Sequence, residues 1–477
     1  VDAAQNQDDL QARIVATLEP LVRQALADFS LPGLALGIVK HDALVYAQGF
    51  GMRNVETQEP VTPQSLFHMA SISKPFVATA IMQLAEAGKL RLDAPVSSYL
   101  PYFRLAGDGW QQITLRQMLA HTAGMPDCDD YGWYRPEDDE AALERYVRSL
   151  AGEKLIAAPG ERHEYSNAAF EVLGDVVAKV SGQSFESYLK THVLDPLGMR
   201  NSTFLRSEVA PELATTPHFG IPAAVLPGVY PYHRAHAASS TLHSSVLEMS
   251  RWARANLRRG SPDEQRILQP ASYAELWHPH VTTGEEIWEE AAGLGWFLGT
   301  YRGRRVVHHG GSDPGFQTDL VLLPDDDMAI VVLANANMAP LGSITDATLD
   351  LLLGLEPQAP KPPISMPLAA TLAAEGLDAA VAQYQRLAAE PDVYDARPWR
   401  FADAVWGAIE VHRPDAVWPL LELWVAVQPD ESLAHEMLGW AYLVDGDERR
   451  AADSLRRAVA LDDENKHAAQ LLRRLSA

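Results

Sequence analysis

Cysteine is almost missing from this chain: Cys128 is the single one among 477 residues. That excludes an intrachain disulfide framework and any cysteine-based metal cluster, and fits a reducing or an oxidising compartment equally. Long apolar runs are missing too, since none approaches the roughly 18 residues of a membrane span. Positive charge is in short supply, with 39 Lys and Arg against 63 Asp and Glu, a net charge of -24 and a pI near 5.0. Phosphate backbones and anionic membrane surfaces would be repelled, so no nucleic-acid partner is expected. The acidity itself reads as solubility. His233, His236 and His243 lack the spacing of a zinc site and read as surface or pocket-lining residues, so no metal or cofactor is expected. Val1 stands where an initiator methionine would, a processed or trimmed start that a removed secretory leader would explain.

What is present suits an ordinary globular protein of two or three domains, 47% hydrophobic and 21% charged. Leu10, Ile14, Leu18, Leu21, Val22 and Leu26 form a helical stripe. Leu34–Val39 and Leu44–Phe50 then read as a hairpin around Lys40-His41-Asp42. A mostly helical stretch follows from about 67 to 242. Strand character returns at Trp296–Tyr301, Arg304–His309, Phe316–Leu323 and Met328–Ala334, separated by Gly303, Gly310-Gly311 and Pro324-Asp-Asp-Asp327. One hairpin early and several strands late predict an α/β domain whose sheet is assembled from both ends, with the middle as an all-helical subdomain beside it.

Residues 356–368 form a proline-rich linker between a domain over 1–355 and a helical tail over 369–477. In the tail Leu421 and Leu455, Val425 and Val459, and Ala434 and Ala468 recur at a period of about 34, that of tetratricopeptide repeats. An unrelated helical bundle is the alternative. Trp406, Trp418, Leu421, Leu423 and Trp424 are more apolar surface than so short a stack would cover. The tail is therefore expected to pack on the first domain, on a second copy of the chain or on a protein partner.

Three short motifs carry chemistry. Ser71-Ile-Ser-Lys74 precedes Pro75 and an apolar run, which places both side chains one turn apart at a helix start. A serine needs a neighbouring base, and a lysine serves as one when burial lowers its pKa. The same four residues also read as a capping serine and a solvated lysine. Tyr165-Ser-Asn167 supplies a phenol, an acid or base if a nearby cation lowers its pKa, and an amide that could orient a carbonyl. It also reads as a helix N-cap. His309-Gly-Gly311-Ser312 offers a proton donor or a positive charge beside glycines that leave room for substrate, or simply a turn between strands. No Gly-x-Ser-x-Gly elbow exists, which argues against an α/β-hydrolase.

The order of the three motifs resembles the active-site pattern of the serine β-lactamase and penicillin-binding protein superfamily. Leu119-Ala-His121-Thr122-Ala-Gly124-Met-Pro126, Pro196-Leu-Gly198-Met199 and Gly295-Trp296 resemble its branch of class C β-lactamases, family VIII carboxylesterases and D-aminopeptidases. The resemblance covers roughly residues 8–340. It implies an antiparallel sheet flanked by helices and a serine hydrolase acting on small esters, amides or short peptides. Ser71 would be the nucleophile, Lys74 and Tyr165 the proton carriers, and the backbone N–H groups of Ser71 and Ser312 the oxyanion hole. Asn167, His309, Gly311 and Ser312 would position substrate. Penicillin-processing members usually carry Lys-Thr-Gly where His309-Gly-Gly311 stands, and Ser239-Ser-Thr-Leu242 replaces the usual Gly-Gly-Leu, so strong penicillinase activity is not expected, while a β-lactamase or D,D-peptidase stays an alternative reading. A catalytically weak sensor or scaffold is the rival reading. The family implies a periplasmic or secreted protein.

Overall fold

The structure is a computed structural model that describes residues 3–128, 130–220, 223–260, 266–285, 288–410 and 414–475. Among the described residues the main sheet is nine-stranded. Its order runs Glu59–Pro60, Ala43–Asn54, Gly33–Lys40, Met328–Ala334, Phe316–Leu323, Arg304–Asp313, Phe297–Tyr301, Ala291–Ala292 and Val281–Thr282, antiparallel throughout. The early hairpin thus pairs with the last strand, Leu34 opposite Ala334, and the sheet is closed from both ends of the domain as expected.

Its central strands are buried on both faces and so read as unbroken apolar runs. Alternation still decides which core each side chain enters. Leu34, Leu36 and Ile38 join the cluster under the N-terminal helix and helix Leu341–Leu352, whereas Ala35 and Val39 join the cluster shared with the helical subdomain. The hairpin turns at His41 and Asp42, both at positive φ, where the Asp42 carboxylate is gripped by Arg254 and Arg258. The N-terminal helix runs Ala3–Asp28 with a wide π turn at Ile14–Leu18. Pro20 has no N–H to offer the carbonyl four residues back, and Glu19 N–H bonds Ile14 O instead.

The helical middle leaves and rejoins the sheet domain at one place, where Phe67–His68 pairs with His243–Ser244. Gly310-Gly311 corrects the sequence reading. These glycines do not separate two strands; they lie inside Arg304–Asp313, opposite Asp319 and Thr318, and the turn falls at Pro314-Gly315. The chain there needs glycine for closeness rather than for turning. A Cβ on Gly311 would lie 2.5 Å from both Met69 O and Thr318 Oγ1.

An irregular stretch after Gly354 leads to a first tail helix at Ser365, inside the stretch expected as linker. Tail helices begin at Pro414 and Glu448, and at Ser432 and Lys466, 34 positions apart in both cases. Leu421, Leu455, Ala434 and Ala468 are all fully buried on them. The tail covers its own apolar residues better than expected. Leu421, Leu423 and Trp424 are fully buried in a cluster with Phe401, and Trp418 is half-buried, while the side chain of Trp406 lies outside the described residues. Contact with the sheet domain is made by other groups: Phe219 packs against that tail cluster, and the Arg400 guanidinium lies over the Phe29 ring. Among the described residues no helix is long and apolar enough to cross a membrane.

Candidate active site

Ser71 lies in a 3-10 turn, Ala70–Ile72, that opens directly into helix Ser73–Glu86. Pro75 is tolerated because it falls in the first turn, where its missing N–H has no partner to lose. Ala70 holds φ near 48°, a left-handed conformation that costs an alanine about 1 kcal/mol and sets the chain's direction just before the serine. The helix is apolar on every side from Pro75 to Met82, so it runs through the core and carries Lys74 in with it.

Lys74 is fully buried, and its Nζ donates to Ser71 Oγ at 2.9 Å, Asn167 Oδ1 at 2.5 Å and Ser239 O at 3.0 Å. Burial lowers its pKa from 10.5 to about 8, against the opposing pull of Glu171, Asp127 and Asp313. About a tenth of it is then neutral at pH 7 and able to take a proton. On the other side Tyr165 Oη donates to Ser71 Oγ at 3.1 Å. Burial pushes this phenol well above its usual pKa, with Asp127, Asp313 and Glu289 adding to the rise, so no cation makes it a resting base. It stays protonated, which suits a proton donor or relay.

Asn167 is engaged inside the protein. Its Oδ1 takes Lys74, and its Nδ2 donates to Tyr131 Oη at 2.6 Å and Asp127 Oδ2 at 3.1 Å. Asp127 also accepts the Asn167 backbone N–H, at 2.7 Å. His121 stacks on Tyr165 with centroids 4.2 Å apart and accepts the Ser166 N–H on Nδ1. Burial and the nearby lysine hold its ring neutral.

His309 departs from expectation. It is buried, and burial followed by the charge of Lys74 keeps it well below the usual histidine range, so it brings no positive charge. Its Nδ1 hydrogen bonds Gly310 O at 2.7 Å, which places the proton there and leaves Nε2 as a buried, unpartnered acceptor. Gly311 presses its strand against the turn before Ser71, where Thr318 Oγ1 donates to Met69 O at 2.8 Å. Ser312 follows, exposed at the strand end.

Ser71, Lys74, Tyr165 and Asn167 are thus brought into direct hydrogen-bond contact, with His309, Gly311 and Ser312 on the adjoining strand. Unforeseen from sequence were Asp127, Tyr131, Glu171 and the Ser239 carbonyl, together with a knot at Asp313. There His68 Nε2 lies 2.7 Å from Asp313 Oδ2, and Ser240 Oγ donates to the same oxygen. Of the unusual Ser239-Ser-Thr segment that bond accounts for Ser240, while Thr241 Oγ1 donates to Phe204 O at 2.9 Å and the buried Ser239 hydroxyl has no hydrogen-bond partner. His233, His236 and His243 are buried, not on the surface. His243 Nε2 pairs with Tyr230 Oη at 2.9 Å. Among the described residues no group of three or more His, Cys, Asp or Glu is placed to hold a metal ion.

The beta-lactamase family profile matches residues 18–355. The chain belongs to the beta-lactamase family. Within it, the chain is 29% identical over 329 residues to protein flp of Staphylococcus aureus, an alignment covering 67% of this chain and 63% of that protein. The chain therefore spans less than two thirds of that curated relative. It is 33% identical over 233 residues to esterase EstB of Burkholderia gladioli, covering 45% of this chain and 57% of the esterase. Among solved structures, the octameric penicillin-binding protein homologue from Pyrococcus abyssi superposes with a TM-score of 0.63 at 28% identity, over 75% of this chain and 81% of that one. The family match ends where the proline-rich stretch begins, and the tail lies outside it.

Proposed function

We propose that the protein is a serine hydrolase that cleaves small esters, amides or short peptides through an acyl-enzyme on Ser71. The observation that carries this is the position of Ser71 Oγ, 2.9 Å from Lys74 Nζ and 3.1 Å from Tyr165 Oη. Neutral Lys74 takes the serine proton as Oγ attacks the carbonyl carbon. The backbone N–H groups of Ser71 and Ser312 stabilise the oxyanion. As the carbon–oxygen or carbon–nitrogen bond breaks, Tyr165 gives its proton to the leaving group and is reprotonated from the Lys74 ammonium. Water then attacks the acyl-enzyme by the reverse route.

Anionic β-lactams fit this cleft poorly. His309 is neutral where a lysine would bind their carboxylate, and Asp313 adds a carboxylate of its own near Lys74. Neutral substrates such as p-nitrophenyl esters fit better. In the tail, the 34-residue spacing of helix starts supports a tetratricopeptide-like stack.

A fluorophosphonate probe tests the reading: it is expected to label the wild type at Ser71, with p-nitrophenyl acetate or butyrate turned over faster than nitrocefin. Labelling and ester turnover that survive Ser71→Ala would overturn it. Efficient nitrocefin hydrolysis at low substrate would overturn the substrate assignment alone.

A further inference from the structure

Glu171 lies one turn after Asn167 on helix Asn167–Ser181, on the same face, and is completely buried. Its Oε2 accepts the backbone N–H groups of Ala238 and Ser239 at 3.2 and 3.3 Å. Its Oε1 has no hydrogen-bond partner and stands 3.4 Å from His236 Nδ1. The carbonyl of that same Ser239 accepts from Lys74 Nζ at 3.0 Å. One residue therefore receives Glu171 on its N–H side and Lys74 on its C=O side. A buried carboxylate short of partners is expensive to keep, and a buried ammonium nearby is the charge that balances it.

We propose that Glu171 is a positioning residue for the reaction: it clamps the Ala237–Ser240 turn so that the Ser239 carbonyl holds Lys74 against Ser71, and it places a buried carboxylate opposite that lysine. This rests on Lys74 acting as the base, as proposed above. The other groups facing Lys74 are the carboxylates of Asp127, on the loop after helix Leu115–Leu119, and of Asp313, at the end of the third-motif strand. Tyr165, His121 and His309 surround it as neutral groups. Glu171 contributes the largest of the three carboxylate pulls on the lysine.

The sign follows. Removing the negative charge makes the Lys74 ammonium less favourable, so its pKa falls below about 8 and neutral lysine persists to lower pH. Glu171→Gln keeps an oxygen for the two N–H groups and loses the charge. The test is the pH profile of kcat/KM on p-nitrophenyl acetate. In the wild type its acid limb is expected near pH 8, and in Glu171→Gln about one pH unit lower. Glu171→Asp keeps the charge on a shorter arm; it should leave the limb in place and lower kcat about tenfold through a loosened lysine.

An unmoved limb in Glu171→Gln overturns the proposal. Should that variant not fold, a displaced limb or an unchanged kcat in Glu171→Asp does the same. A wild type whose turnover is independent of Ser71, or that shows no acid limb, defeats the underlying serine-hydrolase reading and this inference with it. A Ser71-dependent wild type with the limb in place and no response at Glu171 defeats this inference alone.

Discussion

The cleft and the tail use burial in opposite ways. Around Ser71 the interior holds Lys74, Glu171, His68, His121 and His309, ionisable groups that water would solvate better, with half-buried Tyr165 beside them. In the tail the interior is Leu421, Leu423, Trp424, Phe401, Met437 and Ala434, and its polar contacts close locally, as where Trp424 Nε1 donates to Gln428 Oε1 at 2.9 Å. Burial in the first region lowers the proton affinities of Lys74, His121 and His309. In the second it stabilises the fold and does little else. Mutations should therefore separate activity from stability according to which region they strike.

The largest effect is expected at Ser71. Ser71→Ala should lower kcat/KM on p-nitrophenyl esters by about a thousandfold or more while leaving the thermal midpoint unchanged, because the hydroxyl is partly exposed and the role proposed for it is chemical. Matched unfolding curves and ester kinetics check both halves. Next come Lys74→Ala and Tyr165→Phe, each expected to lower turnover by about 10² to 10⁴. Near-wild-type kcat in either would mean that the 2.9 and 3.1 Å contacts to Ser71 are structural and that cleft and tail are less different than they look.

Trp424→Ala should do the reverse. Emptying a fully buried indole site costs about 3–5 kcal/mol of tail stability, readable by denaturant unfolding, with ester turnover held within about twofold. A large loss of turnover in this variant would show that the Phe219 contact carries tail packing into the cleft.

The finest comparison sets two glycines side by side. Gly311→Ala would drive its methyl into backbone, 2.5 Å from Met69 O, and should lower turnover about tenfold by pushing the strand off the turn before Ser71. Gly439→Ala meets a side chain instead, the Cγ of buried Leu455 at 2.7 Å, with Ala451 O at 3.3 Å. There the gain in helix propensity offsets part of the crowding, so stability should fall by about 2 kcal/mol or less and activity not at all. Equal losses in the two variants would erase the contrast.

Much of this was legible in the residue order. Ser71-x-x-Lys74 before Pro75 placed a serine and a lysine one turn apart, because helical spacing and the proline's missing N–H are local matters. The His41-Asp42 hairpin and the 34-residue recurrence of buried tail positions were visible for the same reason. The strand running through Gly310-Gly311 was not, since the need for glycine arises from Met69, some 240 positions earlier in the chain. Nor did any spacing announce that Asp127, Glu171, Ser239 and Asp313 would converge on one lysine.

The residue order by itself determined which groups could react: a serine with a lysine beside it, a phenol, an imidazole, and the alternation that builds the sheet. Tertiary structure decided their protonation states. Lys74 is brought down to about 8, while Tyr165 and His309 are held neutral, by lost solvation and by charges reaching across segments far apart in sequence. Hydrogen-bonding pattern is local and can be read along a chain. The electrostatic environment is a sum over neighbours in space, and exists only once the chain has folded.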